Sequence, residues 1–73
     1  MEQRIQIQTE FIRLDALLKF ANLAQSGGEA KIRIREGAVI VNGVPCTMRG
    51  RKCRPGDQIE MEDVTLIVTG DTA

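Results

Sequence analysis

A chain of 73 residues holds one domain and, at most, two layers of secondary structure around a small core. Hydrophobic residues at 42% and charged residues at 27% are the ordinary balance of a globular domain, and no apolar run nears the ~20 residues of a membrane helix. Formal charge is zero, histidine is absent and there are two cysteines, which excludes Ser-His or Cys-His catalysis and a complete structural zinc site within the chain.

Taken in chain order, Met1 to Gln8 carry charge and alternate in polarity, so they are no signal peptide and the expected compartment is the cytoplasm. Within them, Arg4-Ile5-Gln6-Ile7-Gln8 has period two and predicts a half-buried strand over 4–8. Leu14, Leu17, Leu18 and Ala21 recur at helical spacing and predict a helix from Ile12 to Leu23, with Asp15 near its positive end. Ser26 followed by Glu29 is a capping box, so a second helix runs from Gly27 to Glu36 and stops at Gly37. Ala38-Val39-Ile40-Val41 reads as a buried strand, and Asn42-Gly43 as a tight hairpin turn. Val44, Cys46 and Met48 are expected to share one face of the return strand. Arg54-Pro55-Gly56-Asp57 is a second turn. Ile59 and Met61 alternate with Glu60 and Glu62, Val64 to Val68 forms the last strand, and Gly70 to Ala73 is a frayed tail. The fold class is α+β: a helix-turn-helix-like pair on a small, mainly antiparallel sheet, as a single domain over 1–73.

The zero total hides a strong asymmetry. Between Lys31 and Arg54 lie seven basic residues (Lys31, Arg33, Arg35, Arg49, Arg51, Lys52, Arg54) against the one acid Glu36, a surplus of six positive charges. From Pro55 onward there are five acids and no base. A clustered positive surface points to a polyanion even when the total cancels. At 100° per residue, Lys31 and Arg35 lie about 40° apart, off the Ala30 and Ile34 face assigned to the core. Arg49, Arg51, Lys52 and Arg54 crowd four cations into six residues with no acid between them, a repulsion that an anionic partner relieves. Arg33 is expected to run its aliphatic stem along the edge of the core. Gly27 and Gly28 open a helix whose free N–H groups suit phosphate, although a flexible turn explains them equally.

With only Phe11 and Phe20 as aromatics, the chain is poorly equipped to stack single-stranded bases, and folded RNA fits better. Phe20 is assigned to the core or an interface, and Phe11 to a plug beside the first helix. Neither a P-loop nor GxGxxG is present, and no cofactor or metal is expected. Cys46 and Cys53 are read as reduced, small apolar residues.

The ordered pieces Arg13-Leu14-Asp15, Leu18, Ser26, Ala30, Gly37, Val39, Val41, Asn42-Gly43 and Arg54-Pro55-Gly56-Asp57 resemble the RNA-binding domain named after ribosomal protein S-four, with a motif core over 13–57. Gly50-Arg51-Lys52 and the flanking strands at 4–8 and 64–69 are similar to its small stand-alone bacterial branch. The resemblance implies the alpha-L motif, in which two helices and the adjoining hairpin grip folded RNA. It implies RNA-facing roles for Arg13, Lys31 and Arg35, to which the charge pattern adds Arg49, Arg51, Lys52 and Arg54 and the start of the second helix adds Ser26 and Gly27. Gly27 stands where the larger family has an arginine. Arg33 stands where it more often has an apolar residue, with Ile32 displaced outward. The expected partner is structured RNA, ribosomal or transfer, with ribosomal proteins as neighbours, no membrane, no catalysis, and a monomeric chain.

Three rivals remain open at this point. A DNA-reading helix-turn-helix would present Gly27, Gly28 and Glu29 to base edges, and these are poor donors. A protein-interaction module would use Ile32 or the acidic C-terminal strands. An RNA-binding accessory to a separate RNA-modifying enzyme would keep the same surface.

Overall fold

The alternating apolar residues of the strands and the apolar stripes of two helices meet in one core. The computed structural model describes residues 1–70 and comprises β1 (Glu2–Gln6), β2 (Ile12–Arg13), α1 (Leu14–Phe20), α2 (Gly27–Arg35), β3 (Val39–Val41), β4 (Val44–Pro45), β5 (Lys52–Cys53), β6 (Gln58–Met61) and β7 (Val64–Thr69). Five strands form a sheet in the order β1-β7-β6-β3-β4. The β1–β7 pair is parallel and the other neighbours are antiparallel. β2 and β5 form a separate antiparallel ribbon. Ile5, Val39, Val41, Ile59, Met61, Leu66 and Val68 come from the sheet, and Leu14, Leu17, Leu18, Ala30 and Ile34 from the helices, all buried in the same cluster. No polar or charged residue among those described is buried. None of their helices is long and apolar enough to cross a membrane.

Both helices end in the same way. Asn22, with φ 62°, follows α1; Leu23 N–H bonds Leu18 O and Asn22 N–H bonds Lys19 O, at 2.9 and 3.1 Å. Gly37, with φ 80°, follows α2; Ala38 N–H bonds Arg33 O and Gly37 N–H bonds Ile34 O, at 3.2 and 3.1 Å. These paired bonds are Schellman caps. At the start of α2 the Ser26 hydroxyl accepts the Glu29 N–H at 3.2 Å, as the sequence predicts. The Asn42-Gly43 turn has positive φ at both residues, the requirement of the tightest hairpin loop. Asn42 then ties this turn to the next one. Its amide donates to Asp57 Oδ1 and its Oδ1 accepts Gln58 N–H, while Asp57 Oδ2 accepts Arg54 N–H at 2.9 Å.

Several expectations are corrected. The first strand lies at Glu2–Gln6 rather than 4–8, although Ile5 and Ile7 are buried as the alternation requires. The first helix spans Leu14–Phe20, not Ile12–Leu23, because β5 captures Ile12 and Arg13 and the left-handed Asn22 stops the far end. The second helix ends at Arg35, and Ala38 lies outside β3. The return strand is only Val44–Pro45, and the expected common face of Val44, Cys46 and Met48 does not form: Val44 and Met48 are exposed. Beyond Pro45 one more ladder bond, Cys46 N–H to Val39 O at 2.9 Å, closes the hairpin, and the chain then turns to bond the start of α1 through the carbonyls of Arg49 and Arg51. Of the two places expected for Phe20, the core is excluded: it is 67% exposed, turned away from the Leu14, Leu17 and Leu18 stripe. Arg33 is likewise exposed. Of the expected tail, residues 71–73 lie outside the described residues.

Both cysteines are free, with Cys53 buried and Cys46 half-buried. Burial, followed by the Asp57 charge, raises the Cys53 thiol from 9.0 to about 11. The folded state therefore favours the protonated thiol. Its contribution is intact below about pH 9 and is lost as pH climbs through 11. Alkylation of the native protein at neutral pH should label Cys46 well before Cys53, read by peptide mass; equal rates would contradict this burial.

Candidate nucleic-acid interface

The basic residues that follow β4 are held against the start of α1. Leu14 N–H donates to Arg51 O at 2.9 Å and Asp15 N–H to Arg49 O at 3.1 Å, so two of the first free amides of α1 are satisfied by the carbonyls of the basic loop. Arg51 N–H closes a turn on Met48 O at 3.1 Å. The ribbon then places Arg13 directly opposite Lys52. Like charges in that position repel, and the arrangement is relieved by an anion in front of both. Lys52 Nζ lies 5.0 Å from the centroid of the half-buried Phe11 ring, which anchors its stem. Phe11, expected as a plug beside the first helix, serves as a seat for this cation and is not among the side chains packed on the core cluster.

Arg13 is the last residue before α1. It pairs with Asp15 at 3.3 Å, the only ion pair among the described residues. Among the described residues, the cations between Lys31 and Arg54 have no carboxylate at ion-pair distance. An open cleft of about 310 Å³ is lined by Arg13, Asp15, Ala16, Lys19 and Gly27. It joins the start of α1 to the start of α2. From Gly27 a row at i, i+4 and i+8 continues along α2 through the half-buried Lys31 to the exposed Arg35. Lys31 and Arg35 do not line the cleft. Ser26 caps the same helix end. Neither Gly27 nor Gly28 is crowded, and a side-chain carbon at Gly27 would meet nothing within 4 Å. The interior of the domain therefore gives no reason for glycine there.

Arg54 sits on the Arg54-Pro55-Gly56-Asp57 turn, whose geometry is set by the Asp57 carboxylate and by Gly56 at φ 99°. Arg49, Arg51, Lys52 and Arg54 are all exposed. The structure thus brings Arg13, Arg49, Arg51 and Lys52 together around one loop and Arg13 with Gly27 across the cleft. Arg35 and Arg54 stand on separate elements. Lys19 belongs to the cleft but was not anticipated; its i+4 relation to Asp15 is the signal that places it on that flank.

Two helices on a mainly antiparallel sheet, with a basic loop folded back onto the first helix, define a small RNA-binding class of α+β domain. An S4 domain model matches residues 5–69, and the chain belongs to the S4 domain family. Among curated proteins it is 47% identical over 62 residues to the probable ribosome maturation protein RlbA of Bacillus subtilis (strain 168), covering 85% of this chain and 87% of that one. It is 35% identical over 57 residues to the small ribosomal subunit protein uS4 of Anaeromyxobacter sp. (strain K), covering 78% of this chain but only 27% of that protein. The uS4 of Anaeromyxobacter dehalogenans matches to the same extent. These relatives support an RNA-binding role related to ribosomes.

Proposed function

We propose that this chain is a non-catalytic module that grips structured ribosomal RNA during ribosome maturation, in the cytoplasm and as a monomer. Arg13, Lys31, Arg35, Arg49, Arg51, Lys52 and Arg54 supply the positive charge, with Lys19 added by the cleft, while Ser26 and Gly27 shape the approach to α2. One observation carries the reading: the carbonyls of Arg49 and Arg51 are bonded to the first amides of α1. That bonding turns a run of repelling cations into a fixed surface. A preformed surface loses less entropy on binding than a loose loop. Ribosomal RNA is favoured over transfer RNA by the names of the relatives, a ribosome maturation protein and a small-subunit protein. The scarcity of aromatics favours phosphate and shape recognition over base stacking.

Contact with ~4–6 phosphates predicts a slope of roughly −3 to −5 in a plot of log affinity against log salt. Filter binding of deproteinised bacterial ribosomal RNA across a salt series measures it. A flat response would favour instead a protein-interaction module, for which the exposed Ile32 is the specific observation.

A further inference from the structure

We infer that Asp15, an acid in the middle of the basic surface, is a positioning residue that strengthens RNA binding by holding Arg13 in place. The inference rests on the RNA-binding reading above. Three observations carry it. The Asp15 carboxylate is held through its Oδ1, which accepts Ala16 N–H at 2.8 Å, and the backbone that carries it is anchored by Asp15 N–H to Arg49 O at 3.1 Å. Its Oδ2 accepts from Arg13 Nη2 at 3.3 Å. The Arg13 side chain is 53% exposed and that of Asp15 only 19%, so the cation stands in front and the anion behind it. Both line the cleft that reaches Gly27.

Two effects oppose one another. Asp15 repels phosphate, which on charge alone would weaken binding. It also removes the freedom of a long arginine stem that otherwise faces the like-charged Lys52 across the ribbon. The guanidinium stands in front of the carboxylate, so an incoming phosphate meets the cation first and the anion from farther away. On the inference, positioning outweighs the repulsion that remains.

The opposing signs make the test sharp. Filter binding of deproteinised bacterial ribosomal RNA is compared for the parent protein, Asp15→Asn, Asp15→Glu, Arg13→Ala and the double variant Arg13→Ala/Asp15→Asn. In parallel, the order of the Arg13 Nε–H group is read by NMR in the free proteins. Asn keeps an acceptor for the Ala16 N–H, so the helix start survives. The expected result is that Asp15→Asn, although more positive by one charge, binds ~3–10-fold more weakly. Asp15→Glu recovers most of the loss, and Asp15→Asn adds nothing once Arg13 is alanine. Arg13 Nε–H is more mobile in Asp15→Asn than in the parent. Binding by Asp15→Asn that equals or exceeds the parent, an undiminished loss in the Arg13→Ala background, or an unchanged Arg13 Nε–H overturns the inference. A parent protein that retains no ribosomal RNA sinks the RNA-binding reading itself, and the NMR comparison still decides whether Asp15 orders Arg13.

Discussion

Arg51→Glu combined with Lys52→Glu is expected to lower affinity for structured RNA by at least ~100-fold, because it removes two phosphate contacts and sets two repelling charges in their place. The fold should survive. The bond from Leu14 N–H to Arg51 uses the main-chain carbonyl, which the substitution leaves unchanged. Removing Lys52 from the Phe11 ring costs about 0.5–1 kcal/mol at an exposed site. A glutamate there would face Arg13 across the ribbon and turn a repulsive pair into an attractive one, which offsets part of that loss. Filter binding gives the affinity, and circular dichroism with urea unfolding gives the fold. Unchanged affinity in a folded double variant means the loop is not the site. Loss of folding would mean that the ribbon depends on Lys52 more than the geometry implies.

Leu66→Ala should cost roughly 2–5 kcal/mol, the usual range for a large buried aliphatic cut to alanine. Leu66 is fully buried in β7, the strand that joins β1 to β6. At 0.05–0.15 kcal/mol per residue, a domain of this size has about 4–11 kcal/mol in total. The substitution therefore removes a large share and should lower the urea midpoint steeply. Ile32→Ala is the matched control. Its side chain is 59% exposed, and the change should stay within about 0.5 kcal/mol. Equal losses at the two positions would contradict the core assigned to this domain.

Local signals carried much of this architecture. The two caps of α2, the Asn42-Gly43 turn and the Arg54-Pro55-Gly56-Asp57 turn each depend on a few neighbouring residues, and each stands where the pattern places it. What the pattern hides is non-local. Nothing near Ile12 and Arg13 announces that Cys53 and Lys52 will pair with them, since that ribbon joins residues 41 and 39 apart in the chain. Missing the ribbon also extended the first helix backward. Its far end was misplaced because Asn22 is a less obvious stop than the glycine that ends α2. The β6–β7 loop turns through Glu62 at φ 57°, a residue type that gives no turn signal.

The site shows the same division. The basic block was visible as composition, and the row from Gly27 through Lys31 to Arg35 as helical spacing. Lys19 and the service of Phe11 under Lys52 require knowing that α1 and the loop meet. Phe20 reads as apolar and therefore core or interface, and seven residues of helix leave it on the outward side, which removes the core reading. Met48 lies in the turn that Arg51 N–H closes, beyond the last ladder bond at Cys46, so it does not continue the face that begins at Val44.

The central claim, that this basic surface binds ribosomal RNA, is tested most directly by crosslinking in living cells followed by sequencing of the bound RNA and mapping of the crosslinked peptides. The account predicts enrichment of ribosomal RNA over transfer and messenger RNA, with crosslinks on peptides containing Arg13, Lys31 and the Arg49–Arg54 loop. Crosslinks confined to β1, β6 and β7, or no RNA above background, would contradict it.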